Sequence, residues 1–227
     1  MARGALARLA ALLALLALAG CGSSSTRAVP SAGPRAYDPL LNGVRLSRLE
    51  ANPELCYFTL GQGPLTISKV VDRPLAAGCG YQGALEIADA RPLAYNRSFI
   101  ATCRLAAALA IWQQQVVEPA ALQRFGQPVD RIEHWGTYAC RNRNSRQGGP
   151  RSEHATANAI DVAAFVLADG TMVSVKEDWG GWGDKAAFLR QVHDGACKVF
   201  NGILGPDANA EHRDHFHLDM GRWRFCE

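Results

Sequence analysis

The chain has 227 residues, with 24 basic and 21 acidic side chains and a formal net charge of +3. This length fits one domain with an appendage. The near balance of charge gives no sign of the concentrated basic face that nucleic-acid binding requires, so we expect no nucleic-acid partner.

The first 20 residues are typical of a signal peptide. Residues 9–19 form an unbroken apolar run of 11 after a short basic region. That run is too short to cross a bilayer as a helix but fits the apolar part of a secretory signal. It ends in Leu18-Ala19-Gly20-Cys21, which resembles the bacterial lipobox with its lipidated cysteine. We predict a lipoprotein signal peptide over 1–20 and lipidation of Cys21; the rival interpretation is an ordinary signal peptide with a chance cysteine.

A flexible tether is predicted over residues 21–39. The segment is rich in Ser, Gly, Pro and Ala and nearly free of large apolar side chains, so it cannot bury enough surface to order itself. Gly22 follows Cys21 in place of the aspartate that often retains lipoproteins in the inner membrane. We therefore predict a periplasmic protein held by its N-terminal lipid alone, in the inner leaflet of the outer membrane.

Six further cysteines remain for the folded part: Cys56, Cys79, Cys103, Cys140, Cys197 and Cys226. An even number in an exported chain predicts three disulfides. The rival is a cysteine-based zinc site, which the absence of any C-x-x-C pair disfavours. Sequence alone leaves about 15 pairings open. Joining neighbours along the chain gives Cys56–Cys79, Cys103–Cys140 and Cys197–Cys226.

The first half of the predicted domain, which spans 40–227, mixes extended segments with one long helix. Segments 55–72 and 81–90 are expected to be extended. A helix is predicted over 98–117 with Ser98 as N-cap, because its apolar residues share one face: Leu105, Ala108, Leu109 and Trp112. Pro119 is expected to end it and to start a second helix over 119–125.

The second half is predicted to hold the zinc core, over 128–220. Its expected elements are a strand over 128–140, a loop over 141–152, a strand over 158–167, a turn at Asp169-Gly170, a partner strand over 171–176, a helix over 183–201 and a strand over 213–220. This order predicts an α+β fold with a small, mostly antiparallel sheet and helices packed on it.

Histidines and one aspartate suggest a metal centre. His215 and His217 are two apart in a predicted strand and so should point to the same face. Asp161 interrupts an apolar strand, where a carboxylate needs a strong partner. His154 lies seven residues before it, across a turn. Two imidazoles and one carboxylate match the ligand count of a catalytic zinc with one position left for water. The alternative is a hydrogen-bonded polar cluster.

These residues also carry a family resemblance. The pattern Ser152-x-His154-x-x-Ala157-x-Ala159-x-Asp161, followed by Asp214-x-x-His217, resembles the zinc D-Ala-D-Ala metallopeptidase superfamily, which includes peptidoglycan carboxypeptidases, endopeptidases and the hedgehog signalling domain. Ala157 stands where that pattern usually has glycine. More closely, the stretches TYACR, SEHATANAIDVAAF, FLRQVHDGACKVF and LGPDANAEHRDHFHLD resemble the bacterial extensin-like C-terminal domain family.

The resemblance implies a D-Ala-D-Ala metallopeptidase-like, disulfide-stapled fold and a role for each matching residue. It implies that His154, Asp161 and His217 bind one Zn²⁺ ion. Asp214 would be the general base, and His215 would stabilise the oxyanion or the water. The resemblance places His212 beside the ligands. It implies that Arg141 binds a substrate carboxylate or polarises the scissile carbonyl, although Arg143, Arg146 or Arg151 of the same loop could replace it.

The resulting expectation is a zinc-dependent peptidase that cleaves peptidoglycan stem or cross-link peptides with a metal-activated water. The alternative is a non-catalytic, zinc-containing lipoprotein that binds the cell wall or a protein. A third interpretation, a structural lipoprotein with an inert polar cluster, predicts no zinc. The remaining histidines, His134 and His193, are expected to be structural, and Trp179 and Trp182 are expected to pack in the core or a loop. The sequence does not give the scissile bond or the oligomeric state.

Overall fold

The computed structural model describes residues 39–227, with every side chain in that range except those of residues 39–41 and 50. The predicted signal peptide, Cys21 and the tether up to residue 38 lie outside the described residues. Within them the chain is a mixed α+β domain of small sheets and helices, as predicted. No helix in this part of the chain is long and apolar enough to cross a membrane.

The helices of the described domain are α1 (Pro39–Ala51), α2 (Pro53–Gly61), α3 (Cys103–Trp112), α4 (Glu118–Phe125), α5 (Val175–Asp178) and α6 (Asp184–Val199). A π-helical turn, Gln113–Val117, joins α3 to α4 with helical backbone angles throughout. Pro119 therefore does not end the helix as predicted. Its missing N–H and its ring fall just after the π turn, where the hydrogen-bond register already changes.

Two local predictions in the first half are wrong. Segment 55–61 is helical, because Asn52 caps α2 by accepting a hydrogen bond from the Leu55 N–H, with Pro53 in the first turn. The long helix starts at Cys103 with Thr102 as its cap, and Ser98 is not the N-cap. The residues between Ser98 and Thr102 form a strand that pairs with another strand, and they do not enter the helix.

The strands are β1 (Leu65–Lys69), β2 (Arg73–Ala76), β3 (Cys79–Tyr81), β4 (Leu85–Ala90), β5 (Ala94–Tyr95), β6 (Phe99–Ala101), β7 (Val129–Gly136), β8 (Ala159–Leu167), β9 (Met172–Ser174), β10 (Gly202–Leu204), β11 (Phe216–Asp219) and β12 (Phe225–Cys226). The main sheet has the order β12-β10-β11-β8-β7-β5, and β9 extends the edge of β8 beyond β11. Its pairs are antiparallel except β5–β7 and β10–β12.

The pairing of β7 with β8 has three register shifts, and the two nearest the site decide which side chains face the core. Ala163 is an extra residue in β8, and Trp135 is an extra residue in β7. A one-residue shift moves the following side chains to the other face of a sheet. Ile160 and Val162 therefore lie in the same apolar core as Phe165, although strict alternation would place Phe165 on the other side with Asp161.

Helices cover the core face of this sheet. Phe165 packs against Trp112 of α3 and Phe188 of α6, with ring centroids 5.9 and 5.1 Å away. The indole N–H of Trp112 donates to the Val192 carbonyl at 2.9 Å. The predicted apolar face of α3 is confirmed, since all four of its residues are buried. The face that carries Asp161 is left for the site.

Three disulfides join residues of the described domain, as predicted, but two predicted pairings are wrong. Cys197–Cys226 forms as predicted, whereas Cys56 pairs with Cys103 and Cys79 pairs with Cys140. The reason is topological: α2 packs on α3, and the β2–β3 hairpin reaches the loop that follows β7. These two bridges therefore join elements that are distant from each other in the sequence.

Candidate metal centre

The site is formed by residues from three separate segments of the chain. His154 lies in a short 3₁₀ helix, Glu153–Thr156, which Ser152 caps by accepting the His154 N–H at 3.4 Å. Asp161 is on the central strand β8, and His217 is directly opposite it on β11. The predicted strand over 213–220 is shorter than expected, and His215 lies in the bend before β11.

The structure brings His154, Asp161 and His217 together. Their atoms form a triangle with edges of 3.0 Å (His154 Nε2 to Asp161 Oδ1), 3.1 Å (His154 Nε2 to His217 Nδ1) and 3.1 Å (His217 Nδ1 to Asp161 Oδ1). Ligands about 2.1 Å from a tetrahedral zinc would be roughly 3.4 Å apart. The three buried side chains could therefore hold one metal ion.

Hydrogen bonds outside the triangle direct the ring lone pairs into it. The Nδ1–H of His154 donates to the Thr137 carbonyl at 3.0 Å, which leaves its Nε2 lone pair facing the centre. The Nε2–H of His217 donates to Asp219 Oδ2 at 3.0 Å, which leaves Nδ1 facing the centre. When both rings are neutral, two lone pairs and a carboxylate oxygen converge, which suits a cation.

The pKa values also show that the site favours positive charge. Burial alone raises the pKa of Asp161, but hydrogen bonds from His154, His215 and His217 hold it well below its ordinary range. Burial alone lowers the pKa of His217, but its bonds to Asp161 and Asp219 outweigh that effect and raise it to about 9. A divalent ion would take the place of the protons that the metal-free cluster retains.

Asp214 and His215 form a pair beside the triangle. His215 Nδ1 is 3.0 Å from Asp214 Oδ1, and its Nε2 is 3.5 Å from Asp161 Oδ1. Burial lowers the pKa of His215, but the bonds to Asp161 and Asp214 dominate and raise it. The hydrogen bond to His215 runs through Asp214 Oδ1 and joins Asp214 to a ring that itself contacts Asp161.

His212 and Arg141 line a cavity of about 250 Å³ that reaches His217 and Asp219. His212 Nδ1 lies 2.7 Å from Asn209 Oδ1. Burial, and then the charges of His217 and His215, lower the pKa of His212 to about 4, so its ring is neutral at pH 7. Arg141 Nη2 is 3.4 Å from Asp161 Oδ2, the oxygen that does not belong to the triangle.

The other arginines of that loop have different partners. Arg143 lines the same cavity and lies 3.9 Å from Glu153 Oε1. Arg151 donates from Nε to the Ala77 carbonyl at 2.9 Å and so fixes the loop to the β2–β3 hairpin. Arg146 is exposed. Of these four arginines, Arg141 is the one for which the structure gives a contact with a residue of the triangle.

A second group with metal-ligand chemistry is His193, Cys197 and Cys226. Both cysteines are joined in a disulfide and offer no thiolate, so this group is not a metal site in the oxidised chain. His193 instead packs between Trp179 and Phe216, as expected for a structural histidine. The predicted packing role of Trp179 is confirmed by the same contacts.

Sequence reasoning missed three features of the site. Asp219 orients His217 through the hydrogen bond to its Nε2, a role that no motif in the sequence indicates. The Thr137 carbonyl has no sequence signal, because any residue supplies one. Trp135 packs on His215 with ring centroids 4.9 Å apart, and only the bulge in β7 brings it there.

The comparison with protein families gives a match over most of the chain. The family described as "Extensin-like protein C-terminus" matches residues 54–227. The chain belongs to this family. No curated protein and no solved structure gives a significant match to this chain. The matched range of this extensin-like domain begins in α2 and includes every residue of the triangle.

One residue of the extensin-like domain departs from the metallopeptidase pattern noted in the sequence, and its backbone explains why glycine is usual there. Ala157 has φ +54° and ψ +32°, the left-handed conformation that ends the 3₁₀ helix carrying His154. Alanine adopts this conformation at a cost of about 1–2 kcal/mol. Its N–H still closes the turn on the His154 carbonyl at 3.2 Å, so the alanine keeps the geometry that positions His154.

Proposed function

We propose that the chain is a zinc-dependent peptidase that cleaves peptidoglycan stem or cross-link peptides. The observation that carries the proposal is the triangle of His154, Asp161 and His217, with edges of 3.0–3.1 Å and two ring lone pairs aimed inward. The match of Ser152, His154, Asp161, Asp214 and His217 to the D-Ala-D-Ala metallopeptidase pattern supports the same chemistry. In this proposal the fold is also metallopeptidase-like.

The triangle residues would hold one zinc ion, which when bound lowers the pKa of a water to about 7 and polarises a carbonyl. Asp214 accepts the proton of the attacking water at Oδ2 and returns it to the leaving amine. His215 contacts Asp161 and Asp214, which raise its pKa, and its Nε2–H would donate to the oxygen that becomes negative. Arg141 holds a substrate carboxylate or the scissile carbonyl at the mouth of the cavity.

The proposal includes a location. A lipid on Cys21 would hold the domain at the outer membrane, within reach of the peptidoglycan layer. The tether of residues 21–39 would set that reach, at no more than about 3.5 Å for each residue.

The test is a digest of purified muropeptides by the protein with and without a chelator. We expect chelator-sensitive loss of a terminal D-Ala or of a cross-link, restored by zinc. Asp214→Asn should lower kcat by about 10²–10⁴-fold, the usual contribution of general acid–base catalysis. Asp130→Asn is the matched control, since Asp130 is exposed at the far end of β7. Full activity of Asp214→Asn would exclude Asp214 as the base.

One observation favours the non-catalytic alternative. The hydrogen-bond partner of Asp214 is His215, not a residue of the triangle, so this carboxylate would also suit a binding site in which it merely orients that ring. This second candidate predicts a zinc-loaded protein that binds peptidoglycan and releases no product in the same digest.

A further inference from the structure

Trp135 places an exposed indole beside the candidate centre. It keeps 52% of its surface exposed, and its ring contacts the ring of His215. His215 in turn lies 3.5 Å from Asp161. The indole is therefore one side chain away from the triangle. An exposed indole beside a candidate site offers an apolar face on which a ligand can pack.

The exposed position is built into the sheet. Trp135 is the extra residue of the β7 bulge, and bulges commonly redirect a side chain next to an active site. Its neighbour His134 is buried against Tyr95 and Phe99. The Arg97 guanidinium donates to the carbonyls of His134 and Trp135 and so holds the bulge in place.

The surroundings of Trp135 indicate which ligand fits. The cavity that reaches His217 holds about 250 Å³, has a largely polar lining and does not include Trp135 in its walls. This is below the roughly 300–1,000 Å³ of most ligand pockets, so a substrate must continue outside it. An apolar side chain would call for an enclosed apolar pocket. A half-exposed indole with Arg97, Asp214 and His215 nearby instead suits a ring that has an apolar face and a polar edge.

We propose that Trp135 stacks on a sugar ring, so that the site takes peptides still joined to the glycan in preference to free peptides. This inference rests on the proposed function only for its assumption that the peptide comes from peptidoglycan. Trp135 would then be a residue that determines specificity, without a part in bond cleavage.

The experiment measures binding of two ligands to the zinc-loaded full chain in detergent. The ligands are a disaccharide-tetrapeptide and the same tetrapeptide without its disaccharide. We expect the sugar to improve Kd by about tenfold, within the range of a good aromatic contact. Trp135→Ala should abolish that ratio, and Trp135→Phe should keep part of it. The disaccharide ligand should also change the tryptophan fluorescence of the wild type but not that of Trp135→Ala.

Trp182→Ala is the matched control, because Trp182 is 97% exposed and belongs to the loop before α6. It should leave the ratio unchanged. Equal Kd values for the two ligands in the wild type, or an equal loss for both in Trp135→Ala, would overturn the proposal. A parallel digest separates the two claims: binding without cleavage removes the peptidase, whereas cleavage without sugar preference removes only the role of Trp135.

Discussion

At the scale of single residues, the orientation of His217 depends on Asp219. Its Nε2–H donates to Asp219 Oδ2, and Asp219 Oδ1 accepts the Gly221 N–H at 2.7 Å, so the carboxylate is itself fixed. We predict that Asp219→Asn weakens zinc affinity by about 10–100-fold, the usual cost of losing such a support. Competition with a chromogenic chelator measures this, with Asp130→Asn as the control. An unchanged zinc affinity would mean that β11 alone orients the ring.

The pH dependence of zinc binding follows from His217. Its pKa of about 9 in the metal-free fold means that zinc must displace a proton at pH 7. We expect apparent zinc affinity to rise with pH between about 6.5 and 9, by up to tenfold per unit for one displaced proton, and then to level off. Isothermal titration in buffers of different ionisation enthalpy counts the released protons. A flat profile over this range would contradict the protonation of the metal-free site.

The raised pKa of His217 has the opposite effect on the stability of the metal-free protein, which should fall as pH rises. The folded-state pKa of His217 is raised above the ordinary value of 6.5, so the protonated ring stabilises the fold below that pH. This contribution is lost as pH rises towards about 9. Zinc binding and metal-free stability should therefore change in opposite directions over the same interval.

The left-handed backbone conformation of Ala157 leads to a prediction about the free energy of unfolding. Glycine at this left-handed position removes the strain of the side chain but loses a buried methyl group, so Ala157→Gly should change the free energy of unfolding by less than about 1 kcal/mol. Ala157→Val should cost more than about 2 kcal/mol, because a β-branched residue fits neither that conformation nor the packed site. Chemical denaturation of both variants measures the difference. Equal stability of the two would contradict the strain.

At the scale of elements, the paired bulges explain how Asp161 faces the site. The residue alternation of β8 predicts Asp161 and Phe165 on one face, which would place the carboxylate in the apolar core or the ring of Phe165 in the site. The extra residue Ala163 lets Asp161 face the site while Phe165 enters the core. The sequence carries no signal for this bulge, because Ala163-Ala164 fits an unbroken strand equally well.

The other differences between sequence and structure have similar causes. The existence of β7, β8, α6 and β11 was predictable, since their apolar periods are long and their turns are marked. The helix start at Thr102 was not, because Ser98 and Thr102 are both good caps and only the pairing of β6 with β4 decides between them. The three residues of the triangle were singled out from their motif, whereas the position of Trp135 required the bulge.

The Cys79–Cys140 bridge joins the β2–β3 hairpin to the loop that carries Arg141. We predict that replacing both cysteines by alanine lowers the free energy of unfolding by about 2–5 kcal/mol and also weakens substrate binding, since Arg141 follows Cys140 directly. Removing Cys56–Cys103 is the matched control, because it ties α2 to α3 away from the cavity. It should lower stability alone. Equal loss of substrate affinity in both double variants would show that the hairpin has no special part in the site.

At the scale of the whole molecule, the two faces of the main sheet have different roles. Helices α3 and α6 cover the core face with the fully buried side chains of Trp112 and Phe188, and the opposite face carries the triangle. Because the triangle residues come from β8, β11 and the 3₁₀ helix before β8, the candidate site exists only when the sheet is assembled. Zinc should therefore also stabilise the fold as a whole.

Zinc content per chain tests the central claim most directly. Elemental analysis of purified, folded protein should give one zinc per chain, and His154→Ala or His217→Ala should lose it while keeping native circular dichroism. His193→Ala, a buried histidine outside the triangle, should keep its zinc. A folded wild-type protein that takes up no zinc, or triangle variants that retain it, would contradict the metal centre.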